Sequence, residues 1–314
     1  SNTGTAAVLI PVVCGIADES GYSRSRLLMP LVFAAALGGN LSIIGAPGNL
    51  MGVNALQEMG MSTSFFMYAP VGIPMLVIGI LYFVCLGYKL LPDGKTTAVA
   101  AAEEQQDFSE VPKWKQTVSL VVLVLVILAM IFEEQIGISI QISACIGAIF
   151  LVLTGVISEK EALASIDLKV VLLFGGSLTL AKALDTTGAG ELIADKIVGL
   201  LGADPNPIIL LLVIFIVTCV LTNFMSNTAT TALMIPIAVS LANNLGADPR
   251  SVVIATVIAG SCAYATPIGM PANTMVVGLG GYKFKDYVKS GLPLILVSFV
   301  ICMILLPILF PFYP

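Results

Sequence analysis

Histidine is missing altogether from the 314 residues. With it go the commonest acid–base catalyst and the commonest metal ligand at neutral pH. Charge is scarce too: Asp, Glu, Lys and Arg make up 11% of the chain, against about 25% in a soluble domain. The few charges sit in a few loops, so the formal net charge of −5 carries little information. No stripe of Lys and Arg could neutralise phosphates, which leaves nucleic acid without a footing as a partner. Tryptophan occurs once, as Trp114 between Lys113 and Lys115, the usual setting of an interface anchor just before a membrane span. The six cysteines (14, 85, 145, 219, 262 and 302) all lie in apolar segments and form no C-x-x-C pair. They read as small buried apolar residues rather than disulfide partners.

What remains is apolar. Hydrophobic residues make up 58% of the chain and the mean hydropathy is +1.02, the composition of an integral membrane protein. The segment 205–247 holds 43 residues without a charge, whereas one helical crossing needs about 20. A polar run, Thr222-Asn223-Phe224-Met225-Ser226-Asn227-Thr228, divides it into two helix-sized arms. Backbone that leaves helical geometry at membrane depth must line a cavity or be buried in protein. The segment therefore reads as a hairpin whose tip, Ser226-Asn227-Thr228, faces a site.

The tip is duplicated. Ser1-Asn2-Thr3 and the arm to Pro11 match Ser226-Asn227-Thr228 and the arm to Pro236, at an offset of 225. Ile44-Gly45-Ala46-Pro47-Gly48-Asn49 matches Ile268-Gly269-Met270-Pro271-Ala272-Asn273 at 224, and Gly72-Ile73-Pro74 matches Gly291-Leu292-Pro293 at 219. Three matches in order make an internal repeat, as in many secondary transporters. The expected organisation is the second half of repeat 1 over residues 1–91, a connecting loop over 92–116, and repeat 2 over 117–314. Repeat 1 would contain a hairpin arm, a broken helix around 27–57 and a span at 68–91. Repeat 2 would contain spans at 117–132 and 136–157, interfacial pieces including a capped start at Ser158, and an apolar segment at 170–184. The hairpin 205–247, a broken span at 251–280 and a last span at 290–313 would complete it. The span near 117 starts 109 residues before Ser226, so equal repeats predict a first repeat truncated by about as much before Ser1.

Placing the 92–116 loop in the cytoplasm puts eleven of the fourteen Lys and Arg residues inside and two, Lys196 and Arg250, outside. Lys182 stays ambiguous. This bias sets the expected orientation in a plasma or inner membrane, with the C-terminus external. It also brings the two hairpins in from opposite faces, as an inverted repeat requires.

Neither tip nor break contains Lys or Arg. Helix N-termini at a break favour anions, and unwound carbonyls suit Na⁺. Ser, Thr and Asn supply donors for a carboxylate and acceptors for a hard cation. Membrane Ser and Thr can also bond only their own backbone; a duplicated tip paired with duplicated Gly/Pro breaks favours the site.

The two Ser-Asn-Thr tips, the Ile-Gly-x-Pro-x-Asn breaks and the run Gly280-Gly281-Tyr282-Lys283-Phe284-Lys285-Asp286-Tyr287 resemble the divalent anion:sodium symporter family of the ion transporter superfamily, over essentially the whole chain. The resemblance implies an all-α, inverted-repeat membrane transporter with two re-entrant hairpins and two broken helices, working as a homodimer by an elevator motion. It implies substrate contacts at Asn2, Thr3, Ser226, Asn227, Thr228 and Pro271. It also implies coupling sodium at Ser1, Asn2 and Gly45, and at Thr222, Asn227 and Gly269. The substrate would be a small di- or tricarboxylate.

This chain departs from the family pattern in carrying Ala46 and Met270 where a Thr is common, and Gly48 and Ala272 where a second Pro is common. A hydroxyl that could bond a distal carboxylate is thereby lost, so an inorganic divalent anion or an exchange mode stays open. An intramembrane enzyme lacks a nucleophile–base pair, since Asp18, Glu133, Glu134 and Asp185 lie at segment ends. A structural subunit or receptor would have no need of two polar tips.

Overall fold

The computed structural model describes residues 2–92, 111–166 and 206–313, with scattered positions between 167 and 205. Every regular element among them is helical. The expected segment at 170–184 and the 92–116 loop lie largely outside the described residues. The chain forms two compact units, one of Ser1–Ala100 with Leu172–Pro314 and one of Ala101–Val171.

The smaller unit pairs α5 (Lys113–Ile131) with α6 (Ile140–Leu153) and ends in the short α7 (Glu159–Ala164). Helix α5 shows Leu120, Val121, Leu123 and Leu125 on its surface, as a helix does whose solvent is lipid. The expected capped start of α7 is present. The Ser158 hydroxyl accepts from Glu161 N at 3.2 Å, and Ser158 N donates to the Glu161 carboxylate at 2.7 Å. These bonds from Ser158 hold the Glu161 carboxyl below its ordinary range.

The larger unit begins with α1 (Asn2–Ser20), α2 (Arg24–Gly38), α3 (Pro47–Glu58) and α4 (Ala69–Leu90). It ends with α8 (Pro207–Thr222), α9 (Asn227–Asn244), α10 (Arg250–Gly260), α11 (Pro271–Gly280) and α12 (Phe284–Leu309). Helices α1, α4, α5 and α12 are each long and apolar enough to cross a membrane. At 1.5 Å per residue, the 11 and 10 residues of α10 and α11 reach only about halfway each.

Both breaks have one physical cause. Proline disfavours helical geometry in the residue before it but suits the first position of a new helix. Ala46 (φ −150°, ψ 153°) and Met270 (φ −144°, ψ 150°) are accordingly extended, and Pro47 and Pro271 start α3 and α11.

The two sets of helices interlock. Helix α1 packs on α2 and α11, whereas α9 packs on α8, α10 and α3. Helix α2 also meets α11, and α4 meets α12. At the centre Phe33 stacks obliquely on Tyr264, 5.0 Å between centroids, and meets Phe83 at 5.8 Å. The Tyr282 hydroxyl enters the backbone ladder of α2, accepting from Met29 N at 2.8 Å and donating to Ser25 O. Such an insertion, beside Pro30, opens a helix locally.

The duplication reaches further than the motifs quoted above. Arg24-Ser25 and Arg250-Ser251 start α2 and α10. Each arginine pairs with an aspartate upstream, Asp18 in the last turn of α1 and Asp248 in the turn before α10. Each serine donates at 2.5 Å to the chain just past a later helix, at Pro92 O and Phe310 O. Burial alone would raise the Asp248 carboxyl, but the bonds from Arg250 outweigh it and hold the group below its ordinary range.

Candidate ion and anion site

The second break is shaped by one amide. Asn273, fully buried in the first turn of α11, donates from Nδ2 to Ala263 O at 2.7 Å and Thr266 O at 2.9 Å. Its own backbone carbonyl accepts from the Tyr287 hydroxyl at 2.7 Å. The first break repeats these bonds. Asn49 Nδ2 donates to Gly39 O and Ser42 O, both at 2.7 Å, and Tyr68 Oη donates to Asn49 O at 2.8 Å. A side chain that satisfies two unwound carbonyls lets the chain leave helical geometry inside a dry interior. At both breaks the amide oxygen of the clamp, Asn49 Oδ1 and Asn273 Oδ1, is buried with no partner among the described residues.

Replacing Asn273 by Leu keeps the branching of the side chain and strands two carbonyls. At about 1–3 kcal/mol for each unpaired group, the variant is expected to lose ~2–6 kcal/mol of stability. Thermal denaturation in detergent checks this, and Asn49→Leu should behave alike.

The tip of the α8–α9 hairpin docks on the second break. Asn223 Nδ2 donates to Cys219 O at 2.8 Å and Cys262 O at 3.2 Å, and its Oδ1 accepts from Ala265 N at 2.9 Å. The Thr266 hydroxyl donates to Asn223 O at 2.5 Å and accepts from Gly269 N at 3.0 Å. The three residues expected at one cation site are thereby brought together. One end of the Asn227 amide lies 2.9 Å from Thr222 Oγ1, 3.2 Å from Gly269 O and 3.3 Å from Gly260 O. As nitrogen, that end donates to all three. Turned over, it completes with them a shell of four oxygens, whose natural complement is a cation. Carbonyl, amide and hydroxyl oxygens are hard donors, and no carboxylate joins them among the described residues.

The first tip is similar. Ser1 lies outside the described residues. Asn2 Oδ1 lies so close to Gly39 that a Cβ there would approach it to 2.5 Å, and a Cβ on Gly45 would come within 2.1 Å of Gly39 O. Asn2, Gly39 and Gly45 therefore sit against one another. Of the residues expected at substrate, Thr3 and Thr228 are half-buried in the first turns of α1 and α9. Ser226 is the N-cap of α9, its hydroxyl accepting from Ala229 N at 3.2 Å. Pro271 is exposed at the start of α11. Ala46 and Met270, the N-caps of α3 and α11, have no side-chain cap. Helix N-termini left open in this way attract anions.

Sequence reasoning missed Asn223, Thr266, Gly39 and Gly260 as site residues. It also gave the break asparagines no role. A signal existed for the clamp: Tyr68 and Tyr287 are related by the same offset of 219 as Gly72 and Gly291.

Comparisons with known proteins agree in kind. The family model described as citrate transporter matches residues 1–249 and 127–313. An uncharacterized transporter of Haemophilus influenzae is 28% identical over 321 residues, covering 96% of this chain and 67% of that protein. The sodium-dependent dicarboxylate transporter SdcS of Staphylococcus saprophyticus is 24% identical over 347 residues, covering 99% of this chain and 66% of that protein. The chain thus spans about two thirds of the length of these relatives. Among solved structures, the YdaH transporter of Alcanivorax borkumensis superposes with a TM-score of 0.67 at 19% identity, over 97% of this chain and 73% of that one.

Proposed function

Because the chain belongs to the citrate transporter family of the ion transporter superfamily, and so to transporters rather than enzymes, we propose that it carries small di- or tricarboxylates across the cell membrane, coupled to sodium. The observation that carries this reading is the cluster of Thr222, Asn227, Gly260 and Gly269 oxygens beside the open N-terminus of α11. A site for a dianion without Lys or Arg needs compensating charge, and a helix N-terminus supplies only about half a unit. Cations held by neutral oxygens close that gap.

In this mechanism Asn227 and Asn2 turn their amide oxygens toward sodium, and the backbone of Gly269 and Gly45 completes the shells. Ordering these shells fixes the tips, so that Asn2, Thr3, Ser226, Asn227 and Thr228 present their donors to the substrate carboxylates, with Pro271 lining the site. Substrate binding thus depends on sodium, which is what couples the two fluxes. We take the α1 and α8–α9 elements as hairpins entering from opposite faces, with the 92–116 loop cytoplasmic and the C-terminus outside. The working unit is a homodimer moving its site by an elevator motion.

A second reading, a carrier or exchanger of an inorganic divalent anion, is favoured by Ala46 and Met270, which bring no side-chain donor to the two N-caps. Equilibrium binding separates the readings. Citrate and succinate should bind well in sodium and at least tenfold more weakly in choline or potassium. Dicarboxylate affinity that is the same in sodium and choline contradicts the coupling, and sulfate outcompeting both carboxylates favours the inorganic anion.

A further inference from the structure

Threonine in a membrane helix ordinarily returns its hydroxyl to the carbonyl four residues back. Thr256 does so, to Val252 O at 2.7 Å, and Thr231 does so, to Asn227 O at 2.7 Å. Thr218 on α8 and Thr230 on α9 do not. Both are 0% exposed, and neither hydroxyl has a hydrogen-bond partner among the described residues. A buried hydroxyl left unpaired is disfavoured, and an unexplained one calls for a partner.

The hairpin register shows where these two stand. Thr222 and Asn227 face each other across the tip at 2.9 Å. One helical turn further from the tip, Thr218 on α8 comes level with Thr230 on α9. Helix α10 fills the third side. Its end meets the end of α8, where Thr222 Oγ1 donates to Gly260 O at 2.5 Å, and the two helices pack along their length, so Thr256 lies level with Thr218. By this register Thr218, Thr230 and Thr256, all fully buried, stand around the wedge between α8, α9 and α10 behind the Asn227 shell, while Thr231 packs against Gly260 and Gly48.

At one of these positions the first half of the chain is apolar. At the offset of 225 Thr231 answers to Ala6, which is fully buried. At the same offset Thr230 answers to Thr5.

We propose that Thr218 and Thr230 form a further stop for a sodium ion, one helical turn along the hairpin from the shell at Asn227. Their hydroxyl oxygens offer lone pairs that no protein donor uses, and hydroxyl oxygen is a hard ligand suited to Na⁺. The proposal rests on the sodium coupling proposed above and adds a second ion on the same side of the substrate. It leaves the Asn227 shell unchanged.

The test compares wild type with the double variant T218V/T230V in the full-length protein purified in detergent. Thermal stabilisation is followed as NaCl replaces KCl at constant ionic strength. Valine keeps shape and deletes the hydroxyl, so the double variant should melt no lower than wild type in potassium. Its half-saturating sodium should rise about tenfold and its Hill coefficient should fall. T256V, whose hydroxyl is already paired, should leave the sodium curve unchanged, and T218S/T230S should restore it. If the double variant does not fold, T218V and T230V singly serve the same comparison. A wild-type sodium response retained in full by the valine variants overturns the proposal and assigns the hydroxyls to water or to nothing. A wild type that does not respond to sodium at all overturns the coupling itself, and this stop with it.

Discussion

Replacing Asn227 by Leu is expected to abolish sodium-dependent transport while leaving the protein folded. The amide sits half-buried at the tip, and its one directed end serves Thr222, Gly260 and Gly269. Gly260 O keeps its bond from the Thr222 hydroxyl when that end is lost, so the stability cost is about 1 kcal/mol. The cation shell loses the one oxygen that can turn toward it, and the substrate loses a donor at the same stroke. Uptake should fall by two orders of magnitude or more, with yield and melting temperature nearly unchanged. Leu233→Asn is the converse case. Leu233 lies on the outer face of α9, 36% exposed, and an amide facing lipid is penalised. That variant should insert poorly while the molecules that do fold transport normally. Equal loss of folded protein in both variants would make Asn227 a structural amide.

The second large effect is expected at the paired glycines that carry α4 and α12 across the breaks. A Cβ on Gly291 would lie 2.1 Å from Tyr264 O and 2.4 Å from its carbonyl carbon. A Cβ on Gly72 would lie 2.2 Å from Asn40 O. Both obstacles are backbone and cannot turn aside, so relief requires moving a whole helix off its break. Gly291→Ala should destabilise by ~3 kcal/mol or more and abolish transport together with folding. Gly72→Ala should do the same. This linked loss distinguishes them from Asn227→Leu, and size-exclusion profiles with melting curves record it.

These two predictions differ in how much of their basis was legible in the sequence. The Ser-Asn-Thr tip and the Gly-Ile-Pro and Gly-Leu-Pro matches stand in the chain as text, and the charge-free stretch around the tip reads directly as two arms. Helices α8 and α9 fall within the expected hairpin, and α3 and α11 begin at the prolines that rule out a continuous helix. What the text could not reveal is which carbonyls the unwound backbone would turn inward. Asn49 and Asn273 stand in the motif, but their function as clamps depends on the positions of Gly39, Ser42, Ala263 and Thr266, which only the folded breaks define. Thr218 and Thr230 were invisible for a similar reason. A threonine that bonds its own helix and one that does not look the same in sequence, and only the bonds left unmade separate them. The ends of the spans shifted by a few residues, as they must where apolar composition fades gradually into the turns. The last helix runs Phe284–Leu309 rather than 290–313, because its first turn is capped by polar residues, Lys283 N donating to Asp286 at 2.8 Å.

The central claim is that sodium held by neutral oxygens makes a dianion site workable where no Lys or Arg is present. Uptake of radiolabelled succinate or citrate into proteoliposomes of the full-length protein tests it most directly, with an inward sodium gradient compared with choline of equal osmolarity. Accumulation above the external concentration in sodium, collapsing when the gradient is dissipated and absent in choline, is the predicted result. Equal uptake in sodium and choline would contradict it.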